Sequence, residues 1–200
     1  MCHFPKVIVF DAFGTLVKIG ASLSPYRKLM KWLKANGRKP SAQDAKIIMS
    51  NPIDIAQLAR LFGAELPEQL LNEINNDLEL ELSTIELFED TVPMLQILKE
   101  SGFKIALCSN LAMPYGERLR KLLPDFFDTV AFSYEVRAIK PEYQIYEVIQ
   151  AHFGCDFPEI LFIGDHPILD VETPISLGMK ARLIERHKNQ RLLDVMGDLI

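Results

Sequence analysis

The decapeptide Val7-Ile8-Val9-Phe10-Asp11-Ala12-Phe13-Gly14-Thr15-Leu16 decides how this chain is read. Four apolar residues run without a break and stop at an aspartate, with a glycine close behind. Such a run suits a strand covered on both faces, as in a parallel sheet; one wet face would impose alternation. The run, counted as Lys6–Phe10, has counterparts at Phe103–Cys108, Val130–Phe132 and Ile160–Ile163, and a weaker one at Ala181–Ile184. Helical patterns lie between them. Val92–Glu100 carries Val92, Leu95, Ile97 and Leu98 near one face, and Pro141–Phe153 spaces Ile145, Val148, Ile149 and Phe153 correctly, with proline at a permitted helix start. From Glu89 onward strand and helix alternate, which predicts an α/β fold with a parallel sheet.

The stretch from Ile19 to Phe88 breaks this alternation. It shows no strand, only helical segments at Pro25–Asn36, Ala42–Met49, Pro52–Phe62 and Pro67–Leu82. It is expected to form a helical cap, residues 19–88, inserted after the first strand into a core of residues 1–18 and 89–200. Its charges are segregated: Arg27, Lys28, Lys31, Lys34, Arg38 and Lys39 have no acid among them, and Glu65 through Asp90 supplies acids alone. Solvated faces that complement each other across a helix bundle are the simpler reading. A basic helix that draws an anionic substrate to the cleft is the sharper one.

Composition removes several classes. With 48% hydrophobic and 24% charged residues in 200, the chain is a folded domain with a modest insertion, not a disordered one. A net charge of -5 argues against a dedicated nucleic-acid binder. Val7–Phe10 is too short for a signal-peptide core or a membrane span, so no membrane association and a cytoplasmic location are expected. Cys2, Cys108 and Cys155 share no metal-ligand spacing and cannot all pair, which suits reduced thiols, with Cys108 a small core residue.

What stands just past each strand carries the chemistry. Asp11 through Leu16 follow the first run, Ser109-Asn110 the second, and Gly164-Asp165 the fourth, with Asp170 five residues later; Lys140-Pro141 opens the helix after Val130–Phe132. Ligands of open α/β sheets bind beyond the carboxyl ends of the strands, so three carboxylates, two hydroxyls and an ammonium are expected in one crevice. This ordered set resembles the haloacid dehalogenase-like (HAD) superfamily over nearly the full chain. Asp11–Leu16 is similar to its first motif, Ser109 to the second, Lys140 to the third, and Gly164-Asp165 with Asp170 to the fourth; residues 19–88 take the place of its helical C1 cap.

The resemblance implies a three-layer Rossmann-like core and a hydrolase in which Asp11 is the nucleophile. Thr15, Ser109 and Lys140 would bind oxygens of the transferring group, Gly14 would permit close backbone approach, and Phe13 and Asn110 would border the substrate. It assigns Mg²⁺ to Asp11, the backbone carbonyl of Phe13, Asp165 and Asp170, hard oxygen ligands that suit this ion. A small anionic substrate, most simply a phosphorylated metabolite, is implied.

Phe13 departs from the pattern. Phosphatases resembling this chain carry an aspartate there as general acid and base, a contribution on the order of 10²–10⁴ in rate. The 2-haloacid dehalogenases carry an aromatic residue instead, and Tyr146 also fits their pattern; they are metal-free and have serine where this chain has Asp165. Three carboxylates without enough positive charge would force one to take up a proton, and Lys140 alone does not balance Asp11, Asp165 and Asp170. That charge count favours Mg²⁺ and a phosphoryl substrate over a metal-independent dehalogenase, or over a weak relative kept as a binding or regulatory module. Arg38 is near, but not aligned with, the dehalogenases' carboxylate-binding arginine. His166, His3, His152 and His187 read as loop or surface residues, and Met30, Trp32 and Leu33 as the buried stripe of the first cap helix.

Overall fold

The computed structural model describes residues 4–200, so Cys2 and His3 lie outside the described residues. Its strands are β1 Val7–Phe10, β2 Val17–Ile19, β3 Ile85–Leu87, β4 Lys104–Ser109, β5 Thr129–Phe132, β6 Ile160–Gly164 and β7 Lys180–Leu183. Five of them form one parallel sheet in the order β5-β4-β1-β6-β7. The quoted apolar run is the central strand, flanked on both sides.

Both faces are covered, as the continuous runs require. Ile8, Phe10, Ile105, Leu107, Leu161 and Ile163 point into one cluster with Met94, Leu95, Leu98 and Leu119. These partners come from α5 Thr91–Glu100 and α6 Met113–Leu122, joined by Leu192 and Met196 of α10 Leu192–Met196. Val7, Val9, Ala106, Cys108, Ala131 and Phe162 face the other way, onto Ile145, Tyr146 and Ile149 of α8 Tyr143–Phe153. Small residues at 106, 108 and 131 leave the room that the fully buried Tyr146 fills, edge-on to Phe162 at 5.9 Å between ring centres. Two one-turn helices, α7 Ser133–Val136 and α9 Thr173–Ser176, complete the core.

Between β2 and β3 stand four helices: α1 Pro25–Ala35, α2 Asp44–Met49, α3 Ile55–Leu61 and α4 Glu68–Ser83. Leu29, Leu33, Ile55, Leu58, Ala59, Ile74 and Leu78 make a core of their own, against which Met30 and Trp32 pack. Of the segregated basic residues, one is seen to meet the acidic stretch across this bundle, and another pairs locally. Lys28 of α1 pairs with Glu73, at 2.7 Å, and with Asp77 of α4. Arg38 holds Asp44 through both guanidinium ends, at 2.9 and 2.5 Å, and lies over the Phe62 ring.

Three expectations need correction. The insertion is not wholly helical: β2 and β3 pair antiparallel at its root, Val17 with Leu87 and Ile19 with Ile85. The helix expected from Pro141 starts at Tyr143, because Glu142 closes a tight turn on Ile139, its amide donating to the Ile139 carbonyl and its carboxylate accepting the Ile139 amide. The helix expected from Pro52 starts at Ile55, where Asp54 and Gln57 form a reciprocal capping box. After β6 the chain makes a wide turn of π-helix, Pro167–Glu172, begun by His166, whose Nδ1 accepts the amides of Ile168 and Leu169. No helix among the described residues is long and apolar enough to cross a membrane.

Tyr146→Ala should destabilise the protein by about 3–5 kcal/mol, the usual consequence of emptying a large aromatic site. Tyr143, 44% exposed on the same helix, is the control. Urea unfolding midpoints of the two alanine variants should differ clearly, and equal midpoints would refute the packing role given to Tyr146.

Candidate active site

The site lies where β1, β4 and β6 end. Asp11 continues β1 by one residue, its amide donating to the Ile163 carbonyl at 2.9 Å, so its carboxylate stands at the middle of the sheet edge. The turn that follows is closed on Ala12, whose carbonyl accepts the amides of Thr15, Leu16 and Val17, while Gly14 donates to Val17. None of these bonds uses the carbonyl of Phe13. Gly14 has φ 73°, and a Cβ there would fall 2.2 Å from Oδ2 of Asp165. Glycine is therefore required both by the backbone and by the carboxylate packed against it.

Lys140 bridges two of the acids. Its ammonium lies 2.7 Å from Oδ1 of Asp11 and 2.5 Å from Oδ1 of Asp170, with all three residues buried. Asp170 reaches this place from the wide turn, and its Oδ2 accepts the His166 amide at 3.0 Å. A Cβ at Gly164 would fall 2.3 Å from that same oxygen, so the strand end must be bare for Asp170 to enter. Carboxylate oxygens of Asp11, Asp165 and Asp170 lie within 4.8 Å of one another.

Electrostatics follow from the crowding. Burial, then the charge of Asp170, outweigh the Lys140 ammonium and push Asp11 from the ordinary 3.8 up to about 6. Asp165 is raised as well, by burial and by Asp170. For Lys140 burial works against the charge, but Asp11 and Asp170 overcome it and keep the ammonium protonated. The thiol of Cys108, buried behind the site, is pushed up to about 12 by desolvation and remains a neutral core residue. Excess negative charge, a raised Asp11 carboxyl and an unused carbonyl at Phe13 together fit a hard divalent cation.

Other expected site residues occupy definite places. Thr15 is fully buried, and its hydroxyl is one of two buried side-chain polar atoms among the described residues without a protein partner; the other is the Tyr26 hydroxyl. Orphaned buried groups of this kind call for a ligand. Ser109 ends β4, buried. Asn110 is turned toward Lys140, where its amide nitrogen donates to the Lys140 carbonyl at 2.9 Å and its oxygen accepts the Lys140 amide at 2.7 Å. It clamps the backbone that aims the ammonium. Phe13 is half-buried and stands edge-on to Tyr115 at 6.0 Å. Tyr146 donates to the Leu169 carbonyl at 2.6 Å, which braces the turn that carries Asp170.

Arg186 escaped the sequence reading. Its guanidinium donates to the Thr15 carbonyl at 2.6 and 3.0 Å and to Asp90 at 2.9 Å, and it covers the Phe88 ring. It bolts the nucleophile loop to the far root of the insertion. A loop arginine 171 positions away in the chain carries no local signal of this role.

A doubly covered parallel sheet with an aspartate-lysine cluster on its carboxyl edge defines a class, the α/β hydrolases built on an aspartate. The model of the haloacid dehalogenase-like hydrolases matches residues 5–178, and the chain belongs to that family. Over 105 residues it is 32% identical to a glyceraldehyde 3-phosphate phosphatase of Methanopyrus kandleri, a match covering 52% of this chain and 45% of that protein. Over 139 residues it is 29% identical to the pyrophosphatase PpaX of Bacillus cereus, covering 64% of this chain and 63% of that one. The chain thus matches less than two thirds of the length of these relatives. A family enzyme of Bacteroides thetaiotaomicron, solved in complex with magnesium and inorganic phosphate, shares the fold with TM-score 0.64 at 18% identity, covering 90% of this chain and 93% of that one.

The raised pKa of Asp11 gives a signed expectation. Its folded value of about 6 exceeds the ordinary 3.8, so this carboxyl's contribution to stability is lost as pH rises from about 4 to about 6. A cation bound to the carboxylates relieves that penalty only where Asp11 has released its proton. The thermal upshift given by Mg²⁺ over chelator should therefore be larger at pH 7.5 than at pH 5. Equal upshifts at both pH values would show that Asp11 is not part of the cation site.

Proposed function

We propose that this protein hydrolyses phosphate monoesters of small metabolites in two steps, through an aspartyl phosphate on Asp11. The observation that carries this reading is the charge imbalance at the sheet edge: three carboxylates meet within 4.8 Å, and Lys140 bridges only Asp11 and Asp170. Asp11, Asp165, Asp170 and the Phe13 carbonyl would hold Mg²⁺, which supplies a positive charge for the phosphoryl oxygens. A haloacid site has no use for that second cation.

Asp11 is held by Lys140 through Oδ1, which leaves Oδ2 to attack phosphorus. Lys140, Ser109 and the orphaned Thr15 hydroxyl bind the phosphoryl oxygens as charge shifts onto them. The phosphoryl group passes to Asp11, the ester oxygen departs, and water attacks phosphorus to free the carboxylate. Residues 19–88 serve as a cap on the core of 1–18 and 89–200, limiting the site to small substrates. The matched phosphatases support the phosphoryl class of substrate.

The decisive measurement pairs two releases. Phosphate release from a panel of small esters, and halide release from 2-haloacids, are followed with Mg²⁺ and with chelator. Phosphate release that disappears with chelator and falls at least 10³-fold in Asp11→Asn is expected, an estimate of about the order seen when a catalytic nucleophile is removed. Halide release indifferent to chelator would instead identify a dehalogenase, and substrate binding without turnover a regulatory relative.

A further inference from the structure

A cavity of about 290 Å³ opens between the insertion and the sheet edge, walled chiefly by Phe13, Tyr26, Ile48, Met49, Leu111 and Tyr115. Phe13 joins it to the nucleophile loop, and Asn110, another wall residue, joins it to Lys140. Among the described residues that line it there is no lysine, arginine or histidine. Its two strongly polar members are engaged. Asn110 clamps the Lys140 backbone. Glu81, buried, accepts the amides of Leu23 and Ser24 at 2.6 and 2.8 Å and the Tyr115 hydroxyl at 2.5 Å. The Tyr26 hydroxyl is the one buried polar atom of the wall without a partner.

Two constraints follow for whatever occupies this space. A carboxylate or second phosphate there would lose its water beside Glu81 and gain no cation, which is prohibitive. The wall also offers no free acid. Phe13 has no proton to give, Glu81 is held as an acceptor, and burial makes the Tyr26 phenol a weaker acid than usual, so the departing oxygen must leave as an anion stable in its own right. A phenolate, conjugate to an acid of pKa about 10, meets that demand. An alkoxide, about as basic as the hydroxide conjugate to water at 15.7, does not.

Resting on the phosphatase reading above, we infer that the substrate is the phosphate ester of a small phenol, its ring seated in the cavity against Phe13 and Tyr115. One ring suits a space at the small end of ligand pockets, which run from about 300 to 1,000 Å³. The aromatic wall, with Phe13 and Tyr115 edge-on at 6.0 Å and Tyr26 tilted to Tyr115 at 6.2 Å, favours a ring over an alkyl chain. In the step itself Oδ2 of Asp11 bonds to phosphorus as the phosphorus–oxygen bond to the ring breaks, and the bonding pair leaves on the phenolate. Water then displaces Asp11 from phosphorus. Of its two protons one stays on phosphate and the other ends on the phenolate.

The test compares kcat/KM for phenyl phosphate, cyclohexyl phosphate and 3-phosphoglycerate with Mg²⁺ present. Phenyl phosphate should exceed cyclohexyl phosphate by about 10² or more, the help a missing general acid would have given the alkoxide. Phe13→Asp should narrow that gap by raising the cyclohexyl rate, and Ile48→Lys should raise turnover of 3-phosphoglycerate. Equal rates for the phenyl and cyclohexyl esters, or 3-phosphoglycerate as the best substrate of the wild type, would overturn the inference and leave the phosphatase reading standing. No phosphate from any of the three esters, or from the panel above, would overturn the phosphatase reading itself.

Discussion

The ammonium of Lys140, buried between Asp11 and Asp170 at 2.7 and 2.5 Å, is the contact around which the rest of the site is built. Two carboxylates cannot be withdrawn from water at this separation without a cation between them, and removing one partner of such a set typically destabilises by about 3–5 kcal/mol. Everything near it serves that contact. Asn110 grips the lysine backbone on both sides of the peptide unit, Gly164 admits the Asp170 carboxylate, and Tyr146 braces the turn that delivers it. The lysine also lies over the Phe162 ring, whose face favours the charge as well. Yet one ammonium cannot neutralise three acids, and Asp11 is raised by its burial first and by the charge of Asp170 as well. The fold stores a demand for positive charge at the place where a phosphoryl group would need it.

Sheet topology puts these groups together at little expense. β1 lies between β4 and β6, so residues just past three neighbouring strands share one edge without any long loop. The insertion is then attached where the nucleophile loop ends, through β2 and β3, and locked at two points. Arg186 ties the Thr15 carbonyl to Asp90 at one root. Glu81 ties the Leu23 and Ser24 amides to Tyr115 of α6 over the cavity. Both locks are made of a few polar contacts, whereas the helices between them have their own apolar core. Motion of the insertion would therefore break a few charge-assisted bonds and leave the core intact, a division suited to a cap.

What could be read from the sequence and what could not divides along physical lines. Continuous apolar runs such as Val7–Phe10 and Ile160–Ile163 are unambiguous because a strand buried on both faces tolerates nothing else. Convergence of Asp11, Lys140, Asp165 and Asp170 was legible for the same reason, since parallel strands bring their carboxyl ends to one edge. β2 and β3 were not, because Val17-Lys18-Ile19 and Ile85-Glu86-Leu87 are three-residue alternations too short to stand out beside a sixteen-residue helix. The clamp of Asn110 on Lys140 and the bolt of Arg186 on Thr15 span 30 and 171 positions. Their meaning resides in tertiary geometry, and no local pattern announces them. Asn110 shows the limit well: placed at the strand end and lining the cavity, it also clamps Lys140, a contact that no local pattern announces.

Phe13 is where the local reading and the geometry must be weighed against each other. Its carbonyl takes part in none of the hydrogen bonds that close the loop after Asp11, so the side chain and the backbone oxygen act independently. The ring instead reshapes the wall above the site, meeting Tyr115 and turning the mouth of the crevice apolar. A carboxylate at that place would share the cavity wall with Glu81, and two like charges there would repel. Replacing it with a ring removes that conflict and with it the ready proton donor. The two consequences are inseparable: a wall that has become hospitable to an aromatic group is also one that can release only oxygens able to bear their own charge. Selectivity for such a leaving group would then need no additional recognition residue, because the chemistry that the wall withholds excludes the alternatives.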